Sequence, residues 1–236
     1  MKAVFFMIFV LIFSVIFGAE KASDYDFLTF FLMQVIESGS IDATVNMEFH
    51  LMDSDSNDSY RDMTVRMRFI LSDWEDLYLE FFEPEELADI SFVYLAREEV
   101  VFSMVNGIPW KQYRWSYEAD LIGNLLGQFL RGLMEPANFS WEVENEPQRS
   151  VFRIVPSDTK LRFLGLLSGG GYIPNLMRIY ISLFTREGYS PTLDYVKITD
   201  RLEEEYLYIE FETFSLSVDR RIFSDSRKKF YESFQK

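Results

Sequence analysis

Residues 76–115, DLYLEFFEPEELADISFVYLAREEVVFSMVNGIPWKQYRW, leave the chain few ways to fold. They read as four short strands in a row, each with large apolar side chains on at least one face. Leu77, Leu79 and Phe81 alternate with Tyr78, Glu80 and Phe82 before Glu83-Pro84 breaks the run. Ile90, Phe92 and Tyr94 alternate with Asp89, Ser91 and Val93, and Val101, Ser103 and Val105 interleave with Val100, Phe102 and Met104. Asn106-Gly107 then supplies a tight turn. Such a meander predicts a curved antiparallel sheet with one buried face, which the rest of the chain extends and covers.

Upstream, Ser23 or Asp24 caps a predicted helix over residues 26–38, stopped by Gly39. Phe27, Leu28, Phe30, Phe31, Val35 and Ile36 give it a face broad enough to lie across a sheet. A hairpin follows. Val45, Met47, Phe49 and Leu51 alternate with polar residues, and Met63, Val65, Met67 and Phe69 do so on the return strand, the pattern of a sheet wet on one side. The link Asp53-Ser54-Asp55-Ser56-Asn57-Asp58 opens like a calcium loop. However, Asp58 replaces the required Gly, Thr64 stands where the closing Glu belongs, and strands flank it, so it reads as a solvated turn.

Downstream, residues 116–133 predict a second helix with Leu121, Ile122, Leu125, Leu126, Phe129, Leu130 and Leu133 crowded on one side. Its interior glycines Gly123 and Gly127 each cost about 1 kcal/mol against Ala, which suits a cover held by contacts. Strands are expected over 139–143, 150–155, 176–184, 193–200 and 204–213, with Gly169-Gly170-Gly171 as a hinge. Arg227–Lys229 read as a short basic surface segment ending the chain. The sum is one α+β domain over residues 20–236: a curved antiparallel sheet of about eleven strands, an open half-barrel, with helices covering its concave face.

Residues 1–19 resemble a secretory signal peptide, with Lys2 before a short apolar run and small residues at Gly18-Ala19. An uncleaved anchor is the alternative, although the run falls short of the usual ~20 residues. Either way the body of the protein is expected outside the cytoplasm, in the periplasm after cleavage near Gly18 or Ala19. A net charge of −15 argues against nucleic acid and against an anionic membrane surface as partners. With no cysteine there is no disulfide, thiolate site or N-terminal lipidation, and His50 is the sole histidine. No G-x-S-x-G, H-E-x-x-H or Gly-rich phosphate loop is present, and Glu83, Glu85 and Glu86 read as a solvated turn. No enzyme activity, cofactor or metal is expected.

The order of elements, and above all residues 77–95, LYLEFFEPEELADISFVYL, resembles the LolA/LolB-like periplasmic carriers and sorting factors of bacterial outer-membrane lipoproteins. In that family one strand ends in an apolar residue, one or two further positions and Pro, then returns as another. Here Ala88-Asp89 stands where the family often has Arg-Gly or Lys-Gly, and Arg66 and Arg68 are candidates, by strand position, for the arginine tying lid to barrel. The resemblance implies a half-barrel that shelters a lipid or the acyl chains of a lipoprotein between an inner-membrane donor and an outer-membrane acceptor.

An acyl chain needs an apolar trench with few polar groups, and each buried methylene contributes ~0.8 kcal/mol. Met47, Phe49, Val65, Met67, Phe69, Leu79, Phe81, Phe92, Tyr94 and Met104 are the expected lining, the methionines repacking around varied guests. Leu121, Leu125, Leu126 and Phe129 are the expected lid. The same pattern fits an ordinary core closed permanently by helices. The alternative function is a protein-binding envelope sensor or adaptor on the same fold, without lipid cargo.

Overall fold

The computed structural model describes residues 24–52, 59–114, 139–156, 178–184, 190–200 and 202–234. Helix α1 (Asp24–Ser38) leads into strands β1 (Ile41–Met52), β2 (Tyr60–Ser72), β3 (Asp76–Glu83), β4 (Ile90–Leu95), β5 (Val100–Val105) and β6 (Ile108–Arg114). Then come β7 (Phe139–Glu146), β8 (Arg149–Pro156), β9 (Arg178–Phe184), β10 (Thr192–Thr199), β11 (Tyr206–Ser215) and helix α2 (Arg221–Phe234). The eleven strands form one sheet in the order β6-β5-β4-β3-β2-β1-β11-β10-β9-β8-β7, with antiparallel pairing throughout. β6 and β7 are its two ends, so the sheet is an open half-barrel, as the alternation predicts.

Leu28, Phe31, Leu32 and Val35, at helical spacing, bury one side of α1 against β1, β8 and β9. Phe27 stacks on Phe152 of β8 at 6.4 Å, and Trp74 in the β2–β3 turn donates its indole N–H to the Ile36 carbonyl at 3.3 Å. In a flat sheet β8 and β2 would stand five strand spacings apart, about 24 Å. Residues 27–36 of a helix span only about 13.5 Å. The sheet therefore curls around α1.

The chain end differs from its sequence reading. Residues 221–234 are helical, and Phe223, Ser226 and Phe230 form a buried stripe. Asp219 caps the helix, its carboxylate accepting from the Arg221 amide at 3.0 Å. The basic run 227–229 obscures this apolar spacing. Moreover, α2 does not lie on the concave face. It covers the opposite face of β2–β5, where Ile70, Val93, Leu95, Val100, Phe102 and Met104 are buried beneath it. Of the two described helices only α1 occupies the concave side. The predicted cover over 116–133, with Leu121, Leu125, Leu126 and Phe129, lies outside the described residues, as do residues 1–19.

Candidate functional site

Cross-strand register assembles the expected lining row by row. Met67 stands opposite Val45 and Phe81; Phe69 opposite Ala43 and Leu79; Leu79 opposite Phe92; and Tyr94 opposite Leu77 and Val101. Met47 faces Val65, and Phe49 faces Met63. Because side chains alternate with period two, these residues share one face, the face that carries α1. Met47, Met67 and Phe69 pack against the α1 core. Phe49, Leu79, Phe81, Phe92 and Tyr94 are partly buried; Val65 is closed off, as are Ala43 and Val45 in the core with α1. Phe81 and Phe92 meet edge to face at 6.2 Å.

The same strands show the contrast on their other side. Ile70, Val93, Leu95 and Phe102 are fully buried under α2, each contributing about 1.5–3 kcal/mol. Phe102 touches Phe230 at 5.6 Å and Phe234 at 6.3 Å. Arg227 clamps the helix, donating to Asp76 at 2.7 Å and Glu98 at 3.1 Å, while Asp76 also accepts from the Ala96 amide at 3.0 Å. The outer face of β4 and β5 is thus sealed, while the trough face of β2–β4 keeps accessible apolar surface.

Met104 belongs to the sealed face and does not line the trough. It lies opposite Ser91 and is buried beside Phe230. β4 and β5 are apolar on both faces, so oiliness alone does not fix parity; Val101 and Ser103 hold the trough positions instead. Arg66 and Arg68 also point away from the trough face. Arg66 makes a bidentate pair with Glu212 at 2.7 and 2.8 Å and lies over the Phe82 ring, and Arg68 pairs with Asp42 at 2.9 and 2.7 Å. Hydrogen bonding from Arg66 holds the Glu212 carboxyl below the usual carboxylate range. Neither arginine is placed to tie a lid to the concave side.

A cleft of about 190 Å³ between the β2–β3 turn and α2 is lined mostly by charged side chains, with Arg220 paired to Asp73 at 2.8 Å and Arg227 to Asp76. It does not suit an acyl chain. Among the described residues no three His, Cys, Asp or Glu side chains are placed to hold a metal ion, and no helix is long and apolar enough to cross a membrane.

No protein-family model and no curated protein matches this chain. Among solved structures it is similar to LprF from Mycobacterium bovis, with 10% identity over 86% of this chain and 97% of that one and a TM-score of 0.48. It is also similar to a putative outer membrane lipoprotein-sorting protein domain from Vibrio parahaemolyticus, with 10% identity, coverage of 84% and 97%, and a TM-score of 0.36. A LolA superfamily protein from Nitrosomonas europaea is similar at 10% identity, with coverage of 87% and 98% and a TM-score of 0.34. The solved structures similar to this chain thus include proteins of the group that its sequence resembles.

Proposed function

We propose that this chain is an exported, periplasmic carrier that shelters a lipid or the acyl chains of a lipoprotein in the trough of its half-barrel. One observation carries the reading. Phe92 and Tyr94 of β4, beside Leu79 and Phe81 of β3, retain accessible surface on one face, while Val93 and Leu95, their neighbours along β4, are sealed under α2 on the other. A fold that needed only a core would gain by closing both faces, at about 25 cal/mol for each Å² of apolar surface. Among the described residues the lining holds no buried charge, so a tail of methylenes is accommodated without loss of hydrogen bonds. The order of elements and residues 77–95, which resemble lipoprotein-sorting proteins, support the same reading.

The test is to purify the full-length protein from its own envelope and examine it by native mass spectrometry, with a fluorescent fatty-acid probe offered in parallel. Bound lipid and saturable probe uptake are expected. A protein that carries no lipid and ignores the probe is instead the envelope adaptor of the alternative reading.

A further inference from the structure

β2 is longer than the strand beside it. Its pairing with β3 ends at Arg66 opposite Glu83, whereas its pairing with β1 continues to Tyr60 opposite Met52. Residues 60–65 thus have β1 on one side and, among the described residues, no strand on the other. At about 3.4 Å per residue this free edge runs about 20 Å. Residues 60–64 are all exposed, and so are Leu51 and Met52 on the paired strand. Backbone donors and acceptors along such an edge are a template for another strand.

This arm is held firmly. The His50 ring stacks between Tyr60 at 4.5 Å and Tyr206 at 5.2 Å, and its Nδ1 lies 2.5 Å from an Asp62 oxygen. The Met52 amide donates to Glu205 at 2.8 Å. The edge is therefore pre-organised, which lowers the ordering cost of docking. Terminal strand β6 provides a contrast. It carries Pro109 and Lys111, and its pairing shifts register between Ser103 and Met104, devices that block strand addition. Residues 60–65 contain no proline and pair with β1 without a register shift. Met63, exposed on the arm, is a side chain that adapts to varied partners.

Charge selects the occupant. The notch beyond the end of β3 is bounded by Glu83, its last residue, and by the β3–β4 turn with Glu85 and Glu86, all three exposed. Arg66 beside it is neutralised by Glu212, which leaves Arg61 as the cation of the arm. An anionic bilayer is repelled by such a rim, and a second copy brings the same acidic turn with it. We infer that the free edge of β2 accepts, as an added strand, an extended segment of a partner protein in which apolar side chains alternate with Lys or Arg. The inference does not depend on the trough taking lipid.

The test is fluorescence anisotropy of the full chain with a labelled hexapeptide of alternating Lys and Val. Its Glu–Val counterpart and a Lys–Val version N-methylated on alternate residues serve as comparisons. The Lys–Val peptide is expected to bind. Reversing its charge should weaken binding about tenfold or more, and N-methylation, which removes backbone donors, should abolish it. Met63→Asp and the double change Glu85→Lys/Glu86→Lys should each weaken binding about tenfold; the latter should leave fatty-acid probe uptake unchanged, which separates failure here from failure of the carrier reading. The inference is overturned by no binding of the Lys–Val peptide, by equal binding of the N-methylated form, or by wild-type binding in both variants. A concentration-dependent dimer that Met63→Asp abolishes, or vesicle binding that requires the arm, also overturns it.

Discussion

Phe92 and Val93 are neighbours in the chain and lie on opposite faces of β4. Val93 is completely buried beneath α2, while Phe92 keeps accessible surface beside Phe81 on the trough. One strand thus serves both the stability of the fold and the site, through the two-residue period of its side chains.

Substitutions on the two faces should part accordingly. Met67→Asp and Phe81→Asp are expected to fold and to lose fatty-acid probe binding, because a carboxylate in the trough opposes an apolar guest. Phe102→Ala, on the sealed face, should cost about 3–5 kcal/mol in urea unfolding. Unchanged probe binding in folded Met67→Asp and Phe81→Asp would remove that wall from the site.

Gly39 ends α1 with a positive φ of 62°, and a Cβ there would meet the Trp74 ring at 3.1 Å. Gly39→Ala is therefore expected to destabilise by about 1–2 kcal/mol from the left-handed backbone alone. The Trp74 contact adds to that. Thermal melting followed by Trp fluorescence checks it, and a variant as stable as wild type contradicts the packing described.

Arg227 bridges α2 to β3 and to the β4–β5 turn through Asp76 and Glu98. Removing it leaves two largely buried carboxylates short of a donor, so Arg227→Ala should lose about 2 kcal/mol of unfolding free energy. In a double-mutant cycle with Glu98→Gln the losses should be less than additive. Strict additivity would mean the two side chains do not interact.

Acid should loosen the outer face. Hydrogen bonds from Tyr180 and then Arg178 lower the Glu203 pKa, and the hydrogen bond from Arg66 lowers that of Glu212. Asp219 falls to about 2, first through the Arg221 side chain and then its backbone amide. Folded-state values below the unfolded ones give stability that is complete above the ordinary carboxylate range and lost as pH falls from there through the lowered folded values. For Asp219 that window runs from its usual value of 3.8 down to about 2. Urea midpoints should hold down to about pH 5 and decline from there toward about pH 2, and Arg66→Gln should decline less, having already lost the Glu212 share. An equally steep decline in that variant would argue against the pair.

Much of the architecture was legible in the chain. Met47 and Phe49 are separated by Glu48, and Met67 and Phe69 by Arg68, so their shared face follows from periodicity. The spacing of Leu28, Phe31, Leu32 and Val35 places α1 across the sheet in the same way. The spacing of Phe223, Phe230 and Phe234 was also present, but Arg227, Lys228 and Lys229 masked it as a solvated run.

Local alternation fixes which residues of a strand go together; it does not say which side of the sheet they face when both sides are apolar. Val93, Phe102 and Met104 are as oily as Phe92, Tyr94 and Val101, so β4 and β5 acquire their parity only through register carried across from β1 and β2. The seat of α2 and the overhang of residues 60–65 past Glu83 likewise depend on contacts between segments distant in sequence. Backbone periodicity is a property of neighbouring residues, whereas the choice of buried face and the ends of pairing are set by partners that only the folded chain brings together.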